Sequence, residues 1–291
     1  MIRYALTRAD LEALIRAESK TWLEAAQAKT ETFRGLRRYE EETGTWSEIK
    51  GAYMKLQHGK CAYCERKSGE DDESRIEHDV EHFRPKSKVR AWPPKKRKLA
   101  YSFPLGEPAG TGYYLLAYDI LNYAVTCKKC NTIYKLDYFP IAAETRAVDR
   151  DDPRDLAAEE PFLIYPLGDA DEDPEDLIGF QGLIAVPKHA AGRRHDRARV
   201  TIDFFKLDVR SELIFQRALI LKSLYWAIDD LQTARDPRRR AAAQQTVDLA
   251  LSPESPHTSC ARAFHALCLQ DPGTASLFYD AIAAYLEKKK Y

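Results

Sequence analysis

Glu81 and His82 stand side by side, and Phe83-Arg84-Pro85-Lys86-Ser87 follows them directly. A carboxylate, an imidazole and two cations in so short a stretch are the groups that phosphodiester hydrolysis needs. They offer a base that works near pH 7, a hard oxygen donor for a divalent cation, and positive charge for a polyanion. Taken singly, each has a bland reading as a surface acid, a core histidine or a solvated cation. Glu77-His78 repeats the step four residues upstream. The later step is preferred because Pro85 would end a strand just past His82; His78 is then a neighbour of the site or a polar strand residue.

Four of the six cysteines form two Cys-x-x-Cys pairs, Cys61 with Cys64 and Cys127 with Cys130, and 62 residues lie between the pairs. Pairs of this kind turn the backbone around a metal, and two of them supply the four thiolates of a closed tetrahedral zinc site. A zinc closed by four sulfurs has no open position, so its role would be structural. Asn131 follows Cys130 immediately. If a helix starts inside this knuckle, the two side chains leave its axis about 100° apart, one toward the zinc and one toward a neighbouring strand. That strand is expected over 75–83. Strand alternation sends Glu81 and His82 to opposite faces, so local twisting is needed for both to serve one site. Cys260 and Cys268 sit in a helical-looking stretch and read as small core residues.

The elements that must hold these groups are mostly helical. An amphipathic helix is expected over 7–30, with Leu11, Leu14, Ile15, Trp22 and Ala26 on one face and a capped start at Thr7 to Asp10. A second covers 46–56. Residues 88–112 read as an inserted basic loop, and Phe162–Pro166 and Gly179–Val186 as two short apolar runs able to pair as strands. Helical periodicity runs from Ala198 onward, with Leu213, Phe215, Leu219, Leu224 and Trp226 as expected core. The expected organisation is an N-terminal helical region (1–57), a metal-bound module (58–140), and a C-terminal region (141–291) with a short hairpin followed by helices.

Forty-five Lys plus Arg balance forty-five Asp plus Glu, so net charge points to no partner. Its distribution is more informative. Residues 84–98 hold eight Lys or Arg and no acid, whereas 144–176 hold thirteen Asp or Glu against three Arg. With 44% hydrophobic residues and a mean hydropathy of -0.51, no run suits a membrane span, and the first 22 residues lack a signal-peptide pattern. A cytoplasmic protein with no membrane association is expected.

The Glu-His step, the later Asn122 and the Cys-x-x-Cys-Asn end resemble the HNH nucleases in the variant whose third signature residue is asparagine. The resemblance implies an α+β, mainly α fold in which a zinc-stabilised ββα-metal module is embedded in a helical scaffold. It implies His82 as general base, Glu81 and Asn131 as holders of a catalytic Mg²⁺ or Mn²⁺, and Asn122 as the residue that pins the loop and orients the site. Cys61-Ala-Tyr-Cys64-Glu65, Glu81 to Ser87, and Tyr114 to Asn122 with Cys127-x-x-Cys-Asn131 are similar to PtuB-type endonucleases of Septu and retron-associated anti-phage systems. That similarity covers about half of the chain, and the basic insert and the sequence after Asn131 depart from it. It implies cleavage of DNA or transfer RNA together with a PtuA-type ATPase of the ABC or SMC-like kind. Arg84, Lys86, Lys88 and Arg90 are the expected phosphate contacts. The competing reading is a zinc-ribbon module that binds nucleic acid or a partner without cutting.

Overall fold

The computed structural model of the chain describes residues 1–67 and 76–289. Two compact units emerge. One comprises Arg3–Ala62 and Ser68–Asp173, and the other Met1–Ile2, Tyr63–Lys67 and Pro174–Tyr291. The expected boundaries at 57/58 and 140/141 both fall inside the first unit, so the N-terminal helices belong to the same body as the Glu-His segment. The chain is mainly helical with two small antiparallel sheets, which agrees with an α+β class. Among the described residues, no helix is long and apolar enough to cross a membrane.

In the first unit, α1 spans Arg8–Glu18 and buries Leu11 and Ile15, while α2 spans Trp22–Leu36 and buries Trp22, Ala26 and Phe33. Thr7 caps α1 in a reciprocal box with Asp10, as its sequence suggests. The single helix expected over 7–30 is in fact two. Ser19 leaves the helix in extended geometry (φ -146°, ψ 115°), and a new helix starts at Trp22. A short tight turn, Trp46–Ile49, then feeds α3, Lys50–Leu56.

Strands β1 (His78–His82) and β2 (Tyr123–Cys127) pair antiparallel, with His82 opposite Tyr123, Glu81 opposite Ala124 and His78 opposite Cys127. A wide helical turn, Lys129–Lys135, follows β2 directly. Two strands and a helical turn therefore succeed one another around the second cysteine pair. The Gln57 side chain stitches α3 to β2 in both directions, donating to the Val125 carbonyl at 2.8 Å and accepting from its N–H at 2.8 Å. Tyr53 donates to the Ile120 carbonyl at 2.6 Å, and Tyr165 to that of Tyr123 at 2.7 Å.

In the second unit, β3 (Ile178–Gln181) and β4 (Ile184–Pro187) form a hairpin whose turn carries Gly182 at φ +57°. Both strands come from one apolar stretch, so the expected pairing of Phe162–Pro166 with Gly179–Val186 is corrected. The glycine that divides the stretch provides the turn, and Phe162 to Tyr165 are buried in the first unit instead. Five helices follow: α4 (Gly192–Phe205), α5 (Ser211–Thr233), α6 (Pro237–Leu251), α7 (Thr258–Gln270) and α8 (Pro272–Lys288). On α5 the buried face runs through Leu213, Arg217, Ala218, Leu221, Leu224 and Ile228. Phe215, Leu219 and Trp226, expected in the core, lie on the other face at 38%, 47% and 49% exposure. Arg217 takes the space on the core side, donating to the carbonyls of Leu183 and Leu207 with its guanidinium over the Phe180 ring. Cys260 and Cys268 are buried as expected, and burial pushes the Cys260 thiol up to about 12.

Candidate active site

The last two residues of β1 open into a cleft of about 450 Å³ in the first unit, lined among others by Trp46, Glu81, His82, Lys86, Asn131 and Asp137. Two consecutive strand residues thus share one site, as a strongly twisted two-stranded ribbon permits. His78 does not line it. His78 is fully buried at the far end of β1, opposite Cys127.

His82 is held on three sides. Its Nε2 lies 3.1 Å from the Ala117 carbonyl oxygen, and its ring meets Trp46 and Tyr123 edge-on at 4.7 and 4.9 Å. A carbonyl only accepts, so Nε2 carries the proton and Nδ1 is the basic atom. Among the described residues Nδ1 has no hydrogen-bond partner. Burial, helped by the Lys86 ammonium, drives the imidazole pKa well below its ordinary 6.5, so the ring is neutral at pH 7.

Glu81 is buried beside it, and desolvation raises its carboxyl to about 7 despite the opposing pull of Lys135. Lys135 is fully buried, with Nζ 3.0 Å from Glu81 Oε1 and 3.2 Å from the His82 carbonyl oxygen. The Leu136 N–H bonds the Asn131 carbonyl at 2.9 Å, the five-residue spacing of a widened turn. Widening the turn brings a lysine four residues after Asn131 back to β1, where an Asn-x-x-Lys spacing would be expected. The Asn131 side chain makes no hydrogen bond among the described residues, which leaves an amide oxygen in the cleft.

Asn122 is buried outside the cleft lining. Its Oδ1 accepts from the Arg84 N–H at 2.8 Å, and its Nδ2 donates to the carbonyls of Arg84 and Leu116 at 3.0 Å each. These bonds tie the residue two past His82 to the turn that precedes Ala117.

The expected phosphate contacts separate. Arg84 is only 6% exposed, ion-paired with Glu159 and bonded to the Leu156 carbonyl, so it serves the fold and is withdrawn as a phosphate contact. Lys86 lines the cleft with Nζ 4.5 Å over the Trp46 ring. Arg90 is half-exposed and paired with Asp137 at 3.2 Å. Lys88 is exposed. Sequence reasoning passed over Trp46, Lys135 and Asp137. Lys135 had a faint signal in the shifted lysine after Asn131; the other two had none.

The thiols of Cys61, Cys64, Cys127 and Cys130 are buried and all lie within 4.8 Å of one another. A tetrahedron with metal–sulfur bonds of about 2.3 Å has sulfur–sulfur edges of about 3.8 Å. The cluster therefore fits a single structural metal such as zinc, with only modest contraction.

Fold and site together define a mainly helical α+β chain in which a buried four-cysteine cluster accompanies an acid-histidine cleft. No family model matches the chain, and no solved structure does. It is similar to a curated protein, the Septu protein PtuB of Bacillus mycoides (strain KBAB4), with 26% identity over 211 residues. That match takes in 72% of this chain and 63% of the relative, so it spans less than two thirds of the relative's length. The resemblance to PtuB read from the cysteine knuckles and the Glu-His segment agrees with it.

Proposed function

We propose that the chain is a metal-dependent endonuclease of the HNH, or ββα-metal, class and acts as the nuclease of a Septu-type anti-phage system beside an ATPase partner. The observation that carries the reading is His82. Its Nε2 is fixed on a backbone carbonyl, its Nδ1 has no partner among the described residues, and its neutral ring lines a cleft shared with Glu81 and Asn131. Similarity to a Septu protein supports the defence role and a cytoplasmic location.

In this reading Nδ1 of His82 takes a proton from the attacking water. The water oxygen bonds to phosphorus as the bond to the leaving sugar oxygen breaks, and that oxygen is then protonated from solvent. Glu81 and Asn131 would hold Mg²⁺ or Mn²⁺, hard cations suited to carboxylate and amide oxygens, which when bound neutralises charge on the scissile phosphate and leaving oxygen. Asn122 positions the loop, and zinc on the four cysteines would fix the ribbon to the helical turn. Either DNA or transfer RNA presents the phosphodiester this chemistry attacks.

One observation favours the competing, non-cleaving module: the Lys135 ammonium already sits on Glu81. The deciding experiment offers duplex DNA, single-stranded DNA and total transfer RNA to the protein in Mg²⁺ or Mn²⁺, with and without the ATPase partner and ATP. Products should appear with wild type and disappear with chelator or with His82→Ala, whose fold is checked by circular dichroism and zinc content. Wild-type cleavage by His82→Ala would remove His82 as the base. Absence of cleavage under every condition would leave the binding module.

A further inference from the structure

The basic insert is a built arm. At its base Val89 and Ala109 exchange two backbone hydrogen bonds of 2.9 and 2.8 Å, and the Gly112 N–H bonds the Ser87 carbonyl. The Arg90 N–H bonds the carbonyl of Asp137 at 2.9 Å, and its guanidinium pairs with the Asp137 carboxylate. Trp92 is 5% exposed and packs edge-on against Tyr138, while the Arg97 guanidinium lies over the rings of both Trp92 and Tyr134. Arginine and aromatic side chains are thus spent fastening the segment to the residues that close the cleft on its Asp137 side.

What the arm displays is positive charge. Lys88, Lys95, Lys96 and Lys98 are exposed, and among the described residues none of them is in an ion pair. Several other exposed cations on this unit meet acids, as Arg16 does with Glu24 and Lys55 with Glu18. An ordered segment with unneutralised lysines and no acid, anchored at the rim of a phosphodiester cleft, matches the charge pattern of a nucleic-acid backbone.

We propose that residues 88–98 form a nucleic-acid-binding arm in which Lys88, Lys95, Lys96 and Lys98 hold the phosphates that run out of the cleft past Asp137. The proposal rests on the endonuclease reading for its substrate class and adds the path that the substrate takes. The arm reads phosphate and not base, so it contributes affinity that is independent of sequence and sensitive to salt.

The test uses the full chain carrying His82→Ala, so that substrate survives, and fluorescence anisotropy with labelled single-stranded DNA, duplex DNA and RNA. Salt is titrated from about 50 to 200 mM. The triple variant Lys95→Glu, Lys96→Glu, Lys98→Glu should bind about tenfold or more weakly, and its log–log salt slope should fall by about 2 to 3, since each lost phosphate contact contributes about 0.7 to 0.9. An equal charge reversal at exposed Lys20, Lys206 and Lys288 should leave the slope within about 1 of the parent. Equal affinity and slope for the arm variant and the parent overturn the arm while leaving the nuclease reading intact. Absence of binding by the parent to all three probes, both alone and with the ATPase partner and ATP, overturns both.

Discussion

Replacing Asn122 by alanine should unfold much of what positions His82. The side chain makes three hydrogen bonds, and every group it serves is buried: the N–H and carbonyl of Arg84 and the carbonyl of Leu116. Alanine strands the N–H and the carbonyl of Arg84, while the Leu116 carbonyl keeps the Asp119 N–H at 3.3 Å. A buried backbone group left without a partner costs about 1–3 kcal/mol, so the two stranded groups should cost about 2–6 kcal/mol, a large part of the roughly 5–15 kcal/mol that holds a typical domain together. The same change frees the turn before Ala117, whose carbonyl fixes the His82 tautomer. Thr126 on β2 is the control of opposite sign. Its hydroxyl is buried without a hydrogen-bond partner among the described residues, so Thr126→Val should stabilise the ribbon by about 1 kcal/mol. The assay is urea unfolding at fixed zinc concentration, followed by tryptophan fluorescence. Trp22, Trp46 and Trp92 report this unit, and Trp226 alone reports the other. An Asn122→Ala loss below about 1 kcal/mol, or a Thr126→Val variant less stable than wild type, would refute the accounting.

Two further outcomes follow from the site. Cys61→Ser or Cys130→Ser should abolish bound zinc and cooperative unfolding of the module, whereas a weak chelator that strips only Mg²⁺ should stop cleavage with circular dichroism unchanged; retention of the cooperative transition without zinc would remove the structural role. Glu81 titrates near 7, raised by burial, so it is protonated below that pH and ionised above it. A protonated carboxyl is a poor ligand, and Mn²⁺ affinity measured calorimetrically should fall about tenfold per pH unit well below 7 and level off above. Affinity that is flat from about pH 5.5 to 7 would contradict Glu81 as the ligand.

The chemistry was more legible than the packing. Cysteine spacing, the Glu-His step and Asn131 are local patterns, and the structure brings Glu81, His82 and Asn131 into one cleft and the four thiols into one cluster. The fate of Arg84 was not legible, because its partner Glu159 lies 75 residues away in the acidic run 144–176, where nothing local marks it from its neighbours. On α5, hydrophobicity suggested Phe215, Leu219 and Trp226 as core, but a buried arginine satisfied by two carbonyls took the inner face. Lys135 needed the widened turn to be known before its reach to Glu81 made sense. Ser19 broke a helix that periodicity alone carried through.

The Gln57 amide has a wider consequence. A two-stranded ribbon is open to sliding and to recruiting a further strand along its free edge. By offering Val125 both a donor and an acceptor, one side chain stands in for a neighbouring strand at that point. β2 can slide by one residue along α3 only if Gln57 gives up both bonds, so the strand against which β1 aligns Glu81 and His82 is fixed to the scaffold. A single glutamine at the end of a helix thereby anchors the partner strand of the site to the scaffold, and closes at Val125 an edge on which another chain would otherwise pair.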